Sequence, residues 1–497
     1  MPDFPATASL LQQAVSRHRA GALPEAESLY RQVLALDSCQ LDATHNLGAV
    51  LAQQGKLPDA LPFLLRALDL EAGRPKYWSV CIDALVAAGR LDQAVEVYRR
   101  LIALQPRLAA AHLNLGLLLL RLDRRAEAAG CFRAALNLDP TLATAHNNLG
   151  NLAKLEGRLE EAAESYRAAA AANPAMAEAH DNLGVLLEQA GELEAAENRF
   201  RHVIALAPNY PAIHRKLGAV LLERGRTAEA LEEFLRHAHA ETGPADDSEH
   251  KRRHDAEQAA WSGAPLPATL TLDGGARLAG PAVNAIQDRA GIAAQWNGNP
   301  RLAVIDDLLM PEALASLRKL CLGSNFWRRS FPNGYLGALP EHGFAAPLLA
   351  QIGEELPHAF PEIFGNHPLL QLWAFKYDSE LTGINLHADF AAVNVNFWIT
   401  PDDANLDPDH GGLVVWDKEA PLEWDFARYN TDEQTMRDFL ATSGAKPVTV
   451  PYRANRAVIF DSDLFHETDR FRFRPGYENR RINVTYLYGW RAKGTRV

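Results

Sequence analysis

Residues 143–174 read "ATAHNNLGNLAKLEGRLEEAAESYRAAAAANP". Apolar residues recur at helical spacing on both sides of Gly157, which supplies a turn, and Pro174 stops the second stretch. The unit is a helix–turn–helix, with Leu149, Leu152, Ala162 and Tyr166 on its apolar stripe and small Gly150 letting the two helices approach. It does not stand alone. Pro106, Pro140, Pro174 and Pro208 are spaced by 34 residues; so are His112, His146, His180 and His214, and so are Gly116, Gly150, Gly184 and Gly218. Three residue types held in one phase over four copies make the first half of the chain a repeat array.

Period and small/large pattern together resemble the tetratricopeptide repeat. Looser copies begin near Ala43 and Lys76, a degenerate one spans about Leu10 to Gln40, and a last one runs from Pro211 to about Glu241. The third copy carries Ile82 in place of the glycine and Trp78 in place of the histidine, so it is expected to pack differently. About seven units over residues 1–242 are expected to stack into an all-α superhelix with a concave groove. One histidine per repeat, on the first turn of each first helix, reads as a stacking or capping position rather than a metal ligand. Asn46, Asn114, Asn148 and Asn182 each precede a Leu-Gly pair. The leucine faces the partner helix, so the asparagine is expected to face the groove, where a ladder of amides can bond the backbone of an extended peptide. The repeats of O-linked N-acetylglucosamine transferase are similar in this respect. That resemblance implies a protein or peptide partner held at these four residues.

The 497-residue chain is ordinary in composition, 47% hydrophobic and 23% charged, with a formal net charge of −12. The acidic balance argues against a nucleic-acid partner. The one basic cluster, Lys251-Arg252-Arg253, is flanked by Glu249 and Asp255 and reads as a solvated helix face. Four scattered cysteines without a CxxC pair fit reduced thiols in a cytosol. The first residues lack a signal layout and no apolar run reaches bilayer length, so a cytoplasmic protein with no membrane attachment is expected.

Beyond Ala240 the periodicity stops at "ETGPADDSEH" (241–250), which suits a boundary. Residues 243–299 are expected to hold a helix, "EHKRRHDAEQAAWSG", capping the apolar edge of the last repeat, and then a linker with extended pieces. Organisation changes over 300–497. The strand "RLAVIDDLL" and the helices "PEALASLRKLCLG" and "FAAPLLAQIGEELPHAF" precede a run of short strands from Leu370 onward. Short strands with turn signals between them argue a barrel or double-sheet jelly roll with flanking helices, and hence a multidomain α + β chain. One helical insert, "TDEQTMRDFLATSG", starts with a capping box from Thr431 to Gln434.

Chemistry gathers in this second half. The stretch "NLHADFAAVNVNFWIT" (385–400) sets His387 and Asp389 two apart at the lip of a strand, and His466 follows "RAVIFDS" after a short turn. In "GYENRRINVTYLYG", alternation puts Arg481, Asn483 and Thr485 inside and Arg480, Ile482 and Val484 outside. Two histidines and one carboxylate can occupy one face of an octahedral ion and leave three positions open. An inward arginine offers a fixed fork to a dicarboxylate. His410, in "DPDHGG", is a rival ligand in an acidic turn.

The order of these segments resembles the Fe(II)/2-oxoglutarate-dependent dioxygenases, the prolyl-hydroxylase-like group especially, from about Pro300 to Val497. The resemblance implies a double-stranded β-helix with His387, Asp389 and His466 as iron ligands. It further implies Arg481 as partner of the distal 2-oxoglutarate carboxylate, Tyr377 against that co-substrate, and a hydrogen bond from Asn394 or Asn396. Fe(II), 2-oxoglutarate and O2 are the implied cofactor and co-substrates, and hydroxylation of a C–H bond the implied reaction. Aspartate at 389 fills the place a halide would need, which favours hydroxylation over halogenation. Two departures stand out: the long insert between Lys418 and Ala445, and the adjacency of Arg480 to Arg481. The combined expectation is a hydroxylase of a protein or peptide recruited by the repeats. The alternatives are a small-molecule or glycan-precursor hydroxylase whose repeats only assemble a complex, and a non-catalytic repeat scaffold.

Overall fold

The computed structural model describes residues 4–240, 246, 248–285, 288–331, 334–381 and 385–491. Of the boundary stretch 241–250, residues 241–245 and 247 lie outside the described residues. Contacts group the chain into two compact units, Met1–Asn182 and Leu183–Val497.

The first unit is built of helix pairs. They start with Phe4–Arg19 and Leu23–Leu36, earlier than the Leu10 expected, and continue to Ala143–Leu155 and Leu159–Ala172. Close approach within a pair depends on the repeating glycine. A Cβ on Gly150 would lie 2.6 Å from the Tyr166 ring, and one on Gly116 would lie 2.6 Å from Phe132. Each glycine is therefore a seat for the aromatic ring sixteen residues on. The repeating histidine fastens the loop between repeats: Nε2 of His112, His146 and His180 lies 3.1, 3.0 and 3.0 Å from the carbonyls of Pro106, Pro140 and Pro174. The third copy does differ. Ile82 is buried where the glycine would be, and Pro75–Ala87 meets Leu91–Leu104 over less of its length than the neighbouring pairs do. Trp78 nevertheless keeps the fastening, its indole N–H donating to the Ala72 carbonyl, six residues upstream, at 2.8 Å.

In the second unit the repeat helices continue through Leu193–Leu206, Ile213–Glu223 and Thr227–Ala240. Gly184 seats Phe200 at 2.5 Å and Gly218 seats Phe234 at 3.0 Å by the same measure. Strands follow: β1 (Leu302–Ile305), β2 (Arg329–Phe331), β3 (Tyr335–Ala338), β4 (Leu369–Tyr377), β5 (Glu380–Leu381), β6 (Ala391–Trp398), β7 (Leu413–Glu419), β8 (Pro447–Val450), β9 (Ala457–Asp461), β10 (Leu464–Thr468), β11 (Phe471–Arg472) and β12 (Ile482–Trp490). A seven-stranded antiparallel sheet runs β1-β9-β6-β12-β4-β3-β2, a three-stranded one runs β10-β7-β8, and β11 pairs with β5. The large sheet is covered outside by the helices Pro311–Gly323 and Pro347–Ala359. Tyr486 and Tyr488 reach across to the Leu349 and Gly353 carbonyls at 3.0 and 2.8 Å. The Thr227–Ala240 helix lies against the Pro340–His342 turn and the Pro347–Ala359 helix, and Ile213–Glu223 lies beside β4. The last repeat thus packs on the sheet-bearing region as part of one unit.

Several expectations need correction. The Glu249–Ser262 helix packs on the sheet-bearing region, where Gln258 Nε2 donates to the Leu322 and Ser324 carbonyls and His254 is buried against Tyr477. Its Arg253 and Lys251 pair with Asp378 and Asp255, so the basic cluster is partly engaged. The supposed linker contains a helix, Arg289–Trp296, and the Ala282 and Val283 amides are tied to Glu355 at 2.7 and 2.8 Å. The insert helix Glu433–Thr442 is capped by Asp432, whose carboxylate accepts from Thr435, while Thr431 closes the preceding short helix through the Ala427 carbonyl. Asp432 wins because a carboxylate is the stronger acceptor for an N-terminal amide. As expected, His466 follows the β9 strand after a short turn at Ser462–Asp463, and it sits within β10.

Candidate metal centre

The cavity lies between the two sheets. Inner-face residues follow from strand register. Thr485 stands opposite Asn396 and Trp373, Asn483 opposite Trp398 and Phe375, and the Arg481 carbonyl accepts from the Tyr377 amide. β10 adds His466 from the other side, and an isolated bridge brings His387 alongside it with backbone bonds of 3.0 and 2.8 Å. The cavity has a volume of about 30 Å³ and is lined by His387, Asp389, His466, Tyr377, Arg481 and Asn394, among others.

Ligand-type atoms of His387, Asp389 and His466 all lie within 4.8 Å of one another, the one such group among the described residues. Both imidazoles are oriented by backbone: Nδ1 of His387 is 2.8 Å from the Asn385 carbonyl, and Nδ1 of His466 is 3.1 Å from that of Leu464. Nδ1–H of each ring is committed to a backbone carbonyl, so each Nε2 faces Asp389, at 4.0 and 3.4 Å. Burial, and next the neighbouring His466, lower the His387 pKa to about 4, which keeps the ring neutral, as a ligand must be. Burial works to raise the Asp389 pKa, but the neighbouring His466, then His387, and the 2.7 Å bond from Asn394 Nδ2 outweigh it and lower it. A carboxylate oxygen and two imidazoles whose Nδ1–H is tied to backbone fit a first-row divalent ion with open positions.

Arg481 is fully buried over the rings of Tyr377 and Phe471, at 4.8 and 5.3 Å. Nε and one Nη bond the Gly411 and Gly412 carbonyls, while the other Nη and the Tyr377 hydroxyl, which neighbour each other and Thr468, make no hydrogen bond of good geometry within the protein. Two orphaned buried donors facing a cavity are the mark of an anion seat. Asn396 bonds Thr485 at 3.2 Å on the cavity wall. Arg480 points to the opposite face as alternation requires, but that face is not open. Its guanidinium is buried by the Glu249–Ser262 helix, pairing with Glu257 at 2.7 Å and with Asp378. Ile482 and Val484 are buried there as well. His410 lies outside the group, between Asp407 and Arg470.

The repeat asparagines are less free than expected. Asn46 and Asn114 come within hydrogen-bonding reach of Tyr30 and Tyr98 of the preceding repeat. Asn148 donates to the Thr144 carbonyl, and Asn182 donates to Asn147 and Asn151 at 3.1 and 3.2 Å. Asn151 also accepts from Tyr166. The amides of Asn46, Asn114 and Asn182 thus bridge successive repeats, whereas that of Asn148 stays on its own helix. Only Asn114 is exposed. Asn147 and Asn151, not singled out in the sequence, belong to the same network.

Among the described residues no helix is long and apolar enough to cross a membrane. No curated protein sequence matches the chain. Similar solved structures include MamA (23% identity, 31% of this chain and 90% of that one, TM-score 0.29) and YrrB, described as a TPR protein with an unusual peptide-binding site (19%, 37% and 96%, TM-score 0.32). A tetratricopeptide repeat protein from Parabacteroides merdae is a third (18%, 49% and 95%, TM-score 0.35). Tetratricopeptide-repeat families match residues 11–75, 83–123, 113–177, 147–211 and 182–247. Across residues ~11–247 the chain is made of tetratricopeptide repeats, a scaffold suited to protein interaction.

Proposed function

We propose that the chain is an Fe(II)- and 2-oxoglutarate-dependent hydroxylase whose repeats recruit a protein or peptide substrate. The two facing antiparallel sheets are read as a double-stranded β-helix around the site. One observation carries the proposal: a carboxylate and two backbone-oriented imidazoles converge beside a buried arginine with a free donor. Bound iron, with 2-oxoglutarate and O2, would supply the oxidation that turns a substrate C–H into C–OH with release of succinate and CO2.

The protein's share is geometry. His387 and His466 present Nε2 because Nδ1–H is committed to backbone. Asn394 holds one carboxylate oxygen of Asp389 and so fixes its rotation. Arg481 and Tyr377 offer their free donors to the far carboxylate of the co-substrate, in surroundings dry enough to make the charge-assisted bonds strong. Asn396 and Thr485 close the wall beneath them.

The test is anaerobic titration with Fe(II), followed by substrate-free succinate formation after O2 is admitted. The wild-type protein should bind one equivalent and turn over slowly. Asp389→Ala should lose both. Equal succinate from the two proteins would dismiss the proposal.

A further inference from the structure

The long insert between Lys418 and Ala445 has no part in the chemistry described so far, yet it touches every segment that carries a ligand. Resting on the proposed metal site, we propose that the insert is a clamp that sets the spacing of the ligand segments, with Asn430 as its positioning residue.

The His387–Asp389 run lies outside any strand, joined to β10 only by the His387 bridge. Between the two ligands, Ala388 faces the insert, and both halves of its peptide are taken by it. The Ala388 amide donates to the Tyr429 carbonyl at 2.8 Å, and its carbonyl accepts from Asn430 Nδ2 at 2.9 Å. The side chains alternate in the same way. Leu386 and Ala388 on one ligand segment, and Phe465 beside His466 on the other, are buried in one apolar cluster with Tyr429, Met436 and Leu440 of the insert. His387, Asp389 and His466 line the cavity on the opposite side. Two further ties run to the β10 side: Ala420 N–H to the Asp463 carbonyl at 2.7 Å, and Arg437 to Glu467 at 2.9 Å. Ligand residues alternate with residues gripped by one insert, so a shift of the insert changes the distance between Asp389 and the imidazoles. Partners outside the ligand set typically alter metal affinity about 10–100-fold when removed.

Cobalt(II) is the probe, added anaerobically to the full-length metal-free protein and followed by its visible absorption bands. Asn430→Ala and Asn430→Asp both remove the donor to Ala388, the second at almost constant volume. Each should bind Co(II) about 10–100-fold more weakly, with displaced band positions. Thermal unfolding of the metal-free protein should move by no more than a few degrees. Wild-type affinity and spectrum in both variants would overturn the clamp, and so would a loss of affinity that only tracks unfolding of the metal-free form. Were wild type and Asp389→Ala to bind Co(II) alike, the metal site itself would fall, and the clamp with it.

Discussion

Arg480 and Arg481 leave one stretch of backbone in opposite directions and meet different surroundings. Arg481 enters the cavity with one free donor, whereas Arg480 is tied to Glu257 and Asp378. Burial works to raise the Asp378 pKa, and His250 and Arg480 overcome it, so that carboxylate stays charged to low pH. Arg481→Ala should weaken 2-oxoglutarate by a hundredfold or more, the loss of about 3 kcal/mol from a buried charge-assisted pair. Arg480→Ala should instead lower stability by about 1–2 kcal/mol, since both its partners keep some water, and leave co-substrate affinity within about threefold. Isothermal titration and denaturant unfolding of the two variants check this, and crossed results would reverse the assigned faces. Strand alternation was enough to place Arg481, Asn483 and Thr485. It could not reveal that the far side is roofed, because the roof comes from Glu257, 223 residues away in sequence.

Two local devices hold the repeat helices: within a repeat a glycine seats an aromatic ring, and between repeats a histidine fastens a proline carbonyl. Gly150→Val would drive a branched side chain into Tyr166, at a cost of about 1–3 kcal/mol from overpacking. His146→Ala would free one carbonyl at the surface, at about 1 kcal/mol. Denaturant midpoints should rank wild type, His146→Ala, Gly150→Val; a Gly150→Val protein as stable as wild type would mean that the helices are not in the contact described. The period, the glycine's purpose and the odd third copy were legible because they repeat. Elements without a repeat or a stripe were harder. The Arg289–Trp296 helix is short and sits among Gly, Pro and Ala, so its sequence reads as linker. β10 is five residues long and its pairing with β7 is long-range, so the sequence showed that His466 follows a turn but not which strand it would pair beside.

At the scale of the whole chain, the end of the 34-residue period and the edge of a compact unit fall in different places. Periodicity records how neighbouring repeats stack, whereas Thr227–Ala240 owes its place in the second unit to contacts with residues a hundred positions further on. A piece cut at 243 would lose the helices that lie on β4 and on Pro347–Ala359. It should therefore be recovered as aggregate or be digested rapidly by protease, while residues 183–497 should unfold cooperatively. Equal solubility and protection for the two pieces would refute that docking. The glycine seats also have a spectroscopic consequence. At Gly116, Gly150, Gly184 and Gly218 the α-proton occupies the place where a Cβ would touch a ring, so ring currents must displace its resonance from the usual glycine position. Each repeat thereby carries its own reporter in a carbon–proton correlation spectrum, without any label being introduced. On heating, the displaced signals of Gly116 and Gly150 should vanish together at one temperature. Those of Gly184 and Gly218 should follow the methyl signals of the sheets at another. Four signals lost in a single step would mean that the two units melt as one.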